Sequence, residues 1–380
     1  MNNTLIIIGS GLAGYTLARE LRKLDKTTPL ILITRDAGDF YSKPMLSNAF
    51  AQNKTAEQLV TTPADAIAAQ LDITLHKRTE VKFIDKVARR VETSAGNFDY
   101  AKLVFAVGAD PIRLPLAGNA ADEVLSVNDI ADYARFRERV AAKKHIAIIG
   151  AGLIGCEFAN DLANAGYQVT VIDPTAYPLS SLLPEAAGKQ LLEPLKKIGV
   201  TFRFGVAVSA VDKNHAAYTL TLNNDETLHA DLVLSAVGLR PRTSLARETG
   251  LTVNRGIVVD QHAQTSDANI YALGDCAEYH GGLTLPYVMP IMHAARALAQ
   301  TLAGTSTAIA FPPMPVIIKT PAHPVVIQPA SKNITGAWQM LDEIGGVKMT
   351  FVDSKNNIHG FVLTGTKTAE RQAMLKLLFL

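Results

Sequence analysis

Two stretches of this chain repeat one another. Leu5-Ile-Ile-Ile-Gly-Ser-Gly-Leu-Ala-Gly14 matches Ile146-Ala-Ile-Ile-Gly-Ala-Gly-Leu-Ile-Gly155 in residue type at nearly every position. In each copy an unbroken apolar run, as expected of a strand buried on both faces, enters a glycine turn and then a helical stretch, Tyr15 to Leu24 and Cys156 to Ala165. Each helix leads to a second apolar run, Leu30 to Thr34 and Val169 to Asp173. One G-x-G-x-x-G is a weak signal, because glycine turns are common. Two, each following a buried strand and opening a helix, define two dinucleotide-binding modules. Gly9 and Gly150 allow the tight turn, Gly11 and Gly152 let a pyrophosphate approach backbone N–H groups, and Gly14 and Gly155 permit close helix–strand packing.

An acidic residue ending the second strand of such a module grips a ribose hydroxyl. In the second module it is Asp173, with no arginine immediately after it. A carboxylate there repels a 2′-phosphate, so this module should prefer NAD(H) to NADP(H). In the first module, Ile33-Thr-Arg-Asp36 makes Asp36 the candidate, with a plain loop carboxylate as the alternative.

At 380 residues the chain is long for one core, and two or three domains are expected. It is 48% hydrophobic and 19% charged, with a net charge of +2, so no global field recruits nucleic acid or an anionic membrane. The two cysteines, Cys156 and Cys276, form neither a disulfide framework nor a metal-ligand spacing, which suits a reducing compartment. The N-terminal apolar run lacks a basic flank and is too short for a signal or a membrane span, so it reads as a buried first strand of a cytoplasmic protein. Further strands are expected at Leu103 to Val107, Leu232 to Val237 and Ile270 to Leu273. The turns at Asp110-Pro111 and Arg240-Pro241 look like crossings between domains. From Phe311 onward a proline-rich, alternating texture predicts a small domain of β character closed by a helix, Thr368 to Leu378.

The strand Ile270 to Leu273 runs into Gly274-Asp275, and at this point the chain resembles the two-dinucleotide-binding-domain flavoprotein reductases. That resemblance implies an α/β fold with two Rossmann-like domains and a small α+β C-terminal domain. It implies FAD in residues 1–113 with 240–310, NAD(H) in residues 114–239, and a third domain over 311–380. Asp275 would then be a flavin ligand, its carboxylate accepting hydroxyl hydrogen bonds. The helix announced by Pro290 would point its N-terminus at the flavin pyrimidine edge, with Met289 and Ile291 as backbone contacts.

A narrower resemblance rests on Tyr41-Ser-Lys-Pro-Met-Leu-Ser47, Gly150 through Asp161, Ala236-Val-Gly-Leu-Arg-Pro-Arg242, Asn254-Arg-Gly-Ile-Val-Val-Asp260, Tyr287 through Met292 and Lys319-Thr-Pro-Ala-His-Pro324. Together these are similar to the bacterial rubredoxin-NAD(+) reductases. The resemblance implies catalytic roles for Lys43, near the flavin N5, and Glu157, near the nicotinamide, with the two paired. It implies FAD contacts from Gly9, Gly11, Leu12, Ala13, Gly14, Asp36, Lys43, Pro44, Val81, Ala106, Gly108, Gly274, Asp275, Val288 and Lys319. The NAD contacts implied are Gly150, Gly152, Leu153, Ile154, Gly155, Glu157, Asp173, Val237 and Gly238.

Disulfide reductases of this fold carry Cys-x-x-x-x-Cys after the first module's loop; this chain has Ser42-Lys-Pro-Met-Leu-Ser-Asn-Ala49. His323-Pro324 therefore has no thiol to protonate and reads as structural. With no sulfur nucleophile in that stretch, electrons must leave to a docked carrier, and the family implies rubredoxin, taking them singly and feeding an alkane hydroxylase. Lys319, Arg296, Arg240 and Arg242 are candidates for a basic docking rim. The short C-terminal domain favours a monomer. Alternatives are a flavorubredoxin reductase in nitric oxide detoxification, a ferredoxin reductase, or a redox-switched NADH-dependent interaction protein.

Overall fold

The computed structural model describes residues 3–215, 217–331 and 333–379. The chain forms two compact units, the first from the N-terminus to Lys43 with Glu57–Asp110 and Leu239–Pro312, the second from Pro44–Ala56, Pro111–Gly238 and Pro313 onward.

The first unit is built on a five-stranded parallel sheet in the order Ile270–Ala272, Lys102–Phe105, Leu5–Ile8, Leu30–Ile33, Thr74–His76. Leu5–Ile8 is the central strand, pairing Ile8 with Ile33 on one side and Phe105 on the other. Its residues are apolar on both faces because both faces are covered. The helix Leu12–Leu24 lies beside the helix Val288–Leu302. Their buried faces carry Ala13, Leu17, Ala18 and Leu21 on one helix and Ala294, Ala295, Leu298 and Ala299 on the other. Small residues on both sides let the backbones approach closely. Pro290 lies in the first turn of its helix, as the sequence reading expected.

The second unit contains a four-stranded parallel sheet in the order Val200–Phe204, Gln168–Asp173, His145–Ile149, Leu232–Ser235. It also holds the C-terminal segment, a five-stranded antiparallel sheet in the order Val316–Ile318, Val325–Gln328, Ile358–Thr364, Lys348–Asp353, Gly336–Asp342. Met374 packs with Val326, Phe361 and Leu363 to hold the last helix to that sheet. This helix is Arg371–Lys376, shorter than the sequence expectation, because Gly365–Glu370 winds as a tighter 3-10 turn.

The internal repeat goes further than its glycines. Each module inserts a three-stranded antiparallel sheet before the strand that returns to pair with its first one, Lys102–Phe105 or Leu232–Ser235: Val81–Asp85, Arg90–Thr93 and Gly96–Asp99 in the first, Val208–Asn214, Ala217–Leu222 and Thr227–Ala230 in the second. The sequence reading did not find these strands. Short, partly solvated strands such as Arg90–Thr93 alternate polar with apolar residues and carry no long apolar run.

Candidate cofactor sites

The two fingerprints fold alike. Gly9 has φ +114° and Gly150 φ +107°, and an added Cβ would stand 2.3 Å from the Ala106 carbonyl oxygen or 2.7 Å from that of Ala236. A Cβ on Gly14 or Gly155 would stand 2.0 Å from the carbonyl oxygen of Gly9 or Gly150. By contrast, a Cβ on Gly11 or Gly152 would meet nothing within 4 Å. Each of these middle glycines is the N-cap of its helix and gives the first turn, which begins Leu12-Ala13 or Leu153-Ile154, no side-chain hydrogen bond. An uncapped helix N-terminus beside free space is the cradle a pyrophosphate needs.

In the second module Asp173 ends its strand against this turn. One carboxylate oxygen accepts the Ala151 N–H at 2.6 Å and the other the Thr175 N–H at 2.8 Å and hydroxyl at 2.5 Å. Val237 packs its side chain against Gly150, and Gly238 follows with φ +110°. In the first module a single oxygen of Asp36 accepts the hydroxyls of Ser10 and Thr34 and the N–H of Gly38, at 2.8–2.9 Å. Ser10 belongs to the fingerprint, so Asp36 braces the turn. Val81 opens the inserted sheet, half-buried against the core of its unit.

Gly274-Asp275 reaches the first module's helix directly. Gly274 has φ +79°, a Cβ on it would lie 2.8 Å from Ala13 Cβ, and its N–H donates to the hydroxyl of Tyr279 at 3.1 Å. Burial pushes the Asp275 carboxyl above its ordinary range, opposed by Lys43, whose Nζ lies 3.9 Å away, and by Arg242. A largely buried carboxylate is an acceptor for hydroxyl and N–H donors. Cys276 is fully buried and its thiol is pushed up to about 11 by burial. Glu278 accepts the Gly256 N–H at 2.9 Å and the Asn254 amide at 3.2 Å, tying the turn Asn254–Gly256 to the strand. At the N-terminus of the helix Val288–Leu302, Val288 and Met289 are exposed and no side chain caps the first turn.

The sequence reading paired Lys43 with Glu157, and here the structure differs. Glu157 is 1% exposed and takes its cation from Lys319, at 3.0 Å. It also accepts the Lys319 N–H at 2.8 Å, the Ser47 hydroxyl at 2.5 Å and the Asn48 amide at 3.4 Å. Lys319 donates further to the carbonyl of Pro44. Both Lys319 and Ser47 are far from Glu157 along the chain, which is why spacing could not name them.

Two of the rim candidates have partners within the chain. Lys319 is Glu157's partner, and Arg242 donates to Asp110 at 2.6 Å and to the Val107 carbonyl at 2.7 Å, beside Gly108. Arg240 and Arg296 are exposed. His323 lies in a turn, its N–H on the Thr320 carbonyl at 2.8 Å, and burial lowers its pKa.

The sequence reading missed Asn160 and Asp161. Asp161 accepts the N–H groups of Phe50 at 2.7 Å and Ala51 at 3.1 Å, and Asn160 accepts that of Ala322 at 3.0 Å. Their signal was present: with Glu157 they sit at i, i+3 and i+4 in an otherwise apolar helix, on one face. Among the described residues no helix is long and apolar enough to cross a membrane, and no group of three His, Cys, Asp or Glu side chains could hold a metal.

Residues 3–301 match the family model described as pyridine nucleotide-disulphide oxidoreductase, and residues 308–378 that described as rubredoxin binding C-terminal domain. The chain is 46% identical over 373 residues to a Rubredoxin-NAD(+) reductase of Alcanivorax borkumensis, covering 98% of this chain and 97% of that one. It is 37% identical to the Nitric oxide reductase FlRd-NAD(+) reductase of Aliivibrio fischeri, over 97% of this chain and 96% of that one. The crystal structure of a ferredoxin reductase from Rhodopseudomonas palustris superimposes with a TM-score of 0.90 at 24% identity, over 98% of this chain and 93% of that one, and shares the fold. The doubled glycine cradle, the matched models and full-length identity lead to one statement: the chain belongs to the pyridine nucleotide-disulphide oxidoreductase family.

Proposed function

We propose that this protein is an FAD-dependent NADH:rubredoxin oxidoreductase, taking a hydride from NADH and passing its electrons singly to rubredoxin. The observation that carries the reading is a C-terminal segment, 308–378, matching a rubredoxin-binding domain behind two intact dinucleotide cradles. Bound FAD would supply the exchange between two-electron and one-electron chemistry. The chain's own residues do the rest. The first-turn N–H groups after Gly11 and Gly152 hold the two pyrophosphates, and Asp173 selects NADH over NADPH by its charge. Asp275 accepts hydroxyls of the flavin side chain. Glu157 and Lys319, bound to each other, fix the carboxamide of the nicotinamide. Both cysteines are buried, with thiol pKa values raised by burial, so neither relays electrons.

Rapid mixing tests this reading. NADH should bleach the flavin, and purified rubredoxin should restore it within the turnover time. Reoxidation by a [2Fe-2S] ferredoxin but by no rubredoxin would replace the carrier. A flavorubredoxin reductase is the second reading, supported by the 37% identical relative of that description; the higher identity to the rubredoxin reductase favours the first. A cytoplasmic monomer serving an alkane hydroxylase completes the proposal.

A further inference from the structure

The helix Leu153–Asn164 does two things. Its N-terminus is the second module's fingerprint, and one to two turns later Glu157, Asn160 and Asp161 line a single face, only 1%, 1% and 5% exposed. Buried polar groups of this kind require partners. Those partners come from two segments remote in sequence, each held at two points. Lys319 N–H meets Glu157 and Ala322 N–H meets Asn160. Ser47 meets Glu157, while Phe50 and Ala51 N–H meet Asp161. Between its two anchors the first segment is a closed turn, with the Thr320 hydroxyl on the His323 carbonyl at 2.7 Å and the His323 N–H on the Thr320 carbonyl at 2.8 Å.

A turn tied to the helix at two points is held more tightly against it than one tied at a single point. The turn joins the paired strands Val316–Ile318 and Val325–Gln328, and removing Asn160 takes away the bond from its tip at Ala322 to the helix, leaving those of Lys319, whose side chain is 33% exposed and has water as an alternative partner. Replacing one carboxylate oxygen of Asp161 by an amide NH2 loses the bond to the Phe50 or the Ala51 N–H and loosens the other segment, which Ser47 still ties to Glu157. Because the helix also carries the nucleotide cradle, the same rigid body sets both the NADH position and that of the Glu157–Lys319 pair.

We propose that Asn160 and Asp161 are positioning residues for hydride transfer, acting through Glu157 and Lys319 by clamping the turns at 320–322 and 50–51. The proposal rests on the reading of Glu157–Lys319 as the pair that orients the nicotinamide. A misplacement near 1 Å costs about a hundredfold in rate, so a loosened clamp is visible kinetically before it is visible in stability.

The test is a cycle. Asn160→Ala and Asp161→Asn are each made in the wild type and in Lys319→Met, and the flavin reduction rate at saturating NADH is measured with the NADH Kd and the thermal midpoint. In the wild-type background the rate should fall about tenfold or more, with Kd changed less than the rate. In the Lys319→Met background the same substitutions should cost less than about twofold, because neighbours that act through one group are non-additive. Equal losses in both backgrounds, or no loss in the wild type, would overturn the proposal. Lys319→Met reducing as fast as wild type would instead remove the underlying reading of the pair, whatever the clamp residues do. Asp161→Asn keeps shape and one acceptor, so it carries the cycle if Asn160→Ala does not fold.

Discussion

Gly155 approaches Gly150 so closely that a Cβ would stand 2.0 Å from the Gly150 carbonyl oxygen, whereas Gly152, between them, has nothing within 4 Å of its own. The two glycines therefore serve different ends. Gly155→Ala should push the helix off its strand and destabilise the module, lowering the thermal midpoint with or without nucleotide. Gly152→Ala should fold and keep FAD, yet bind NADH at least about tenfold more weakly, since a methyl group occupies the pyrophosphate's approach. Calorimetric titration with NADH beside thermal denaturation separates the two; a Gly152→Ala protein with unchanged NADH affinity would place the nucleotide elsewhere.

Asp173→Ala should weaken NADH far more than NADPH. The carboxylate also holds the Ala151 N–H, so a modest loss for both nucleotides is expected on top of the selective one. Steady-state kcat/KM with each nucleotide measures the ratio, and an equal loss for both would take Asp173 out of the ribose site.

Asp275 gives a pH prediction. Burial raises its folded pKa, so between the ordinary carboxylate range and that raised value the folded apoprotein holds a proton that the unfolded chain has released. Stability of the apoprotein therefore declines as pH rises through that window and returns as pH falls. Asp275→Asn removes the penalty: its apoprotein should outlast wild type in urea at neutral pH and match it in acid, while binding FAD less tightly. A wild-type apoprotein equally stable at neutral pH contradicts this.

Cys276→Ser should keep FAD and most of its turnover, because a hydroxyl can also donate to the Leu273 carbonyl that the thiol meets at 3.3 Å. The folded protein should resist iodoacetamide at neutral pH, since burial suppresses both thiolates. Rapid alkylation of the native state with loss of carrier reduction would reinstate a redox thiol.

Glu157→Gln keeps one acceptor for the Lys319 N–H but turns an amide NH2 toward the Lys319 ammonium and the Ser47 hydroxyl, so it should lose some stability, less than Glu157→Ala, and reduce flavin more slowly. Glu157→Ala strands the Ser47 hydroxyl and the Lys319 N–H together and should cost about 2–4 kcal/mol by chemical denaturation. Equal stability of the two variants would show that the buried bonds contribute nothing.

Much of this protein was legible in its sequence. Glycine positions and apolar runs are local facts, set by backbone sterics and by burial of a strand on both faces, and they determined the two modules, their glycine turns, and the strand that ends in Gly274-Asp275. Asp173 was legible because it follows its fingerprint at a fixed distance within one unit. The inserted antiparallel strands were not, because half-solvated strands carry only a short alternation. The partners of Glu157 were not either. Lys43 and Lys319 are equally good cations in a sequence, and only the tertiary fold decides which one a buried carboxylate meets. It does so by bringing residues 47–51 and 319–322 onto one face of the helix Leu153–Asn164. Local sterics fixed the two glycine turns and the strands that enter them; long-range burial of polar groups, each requiring a partner, decided how Glu157, Asn160 and Asp161 are held.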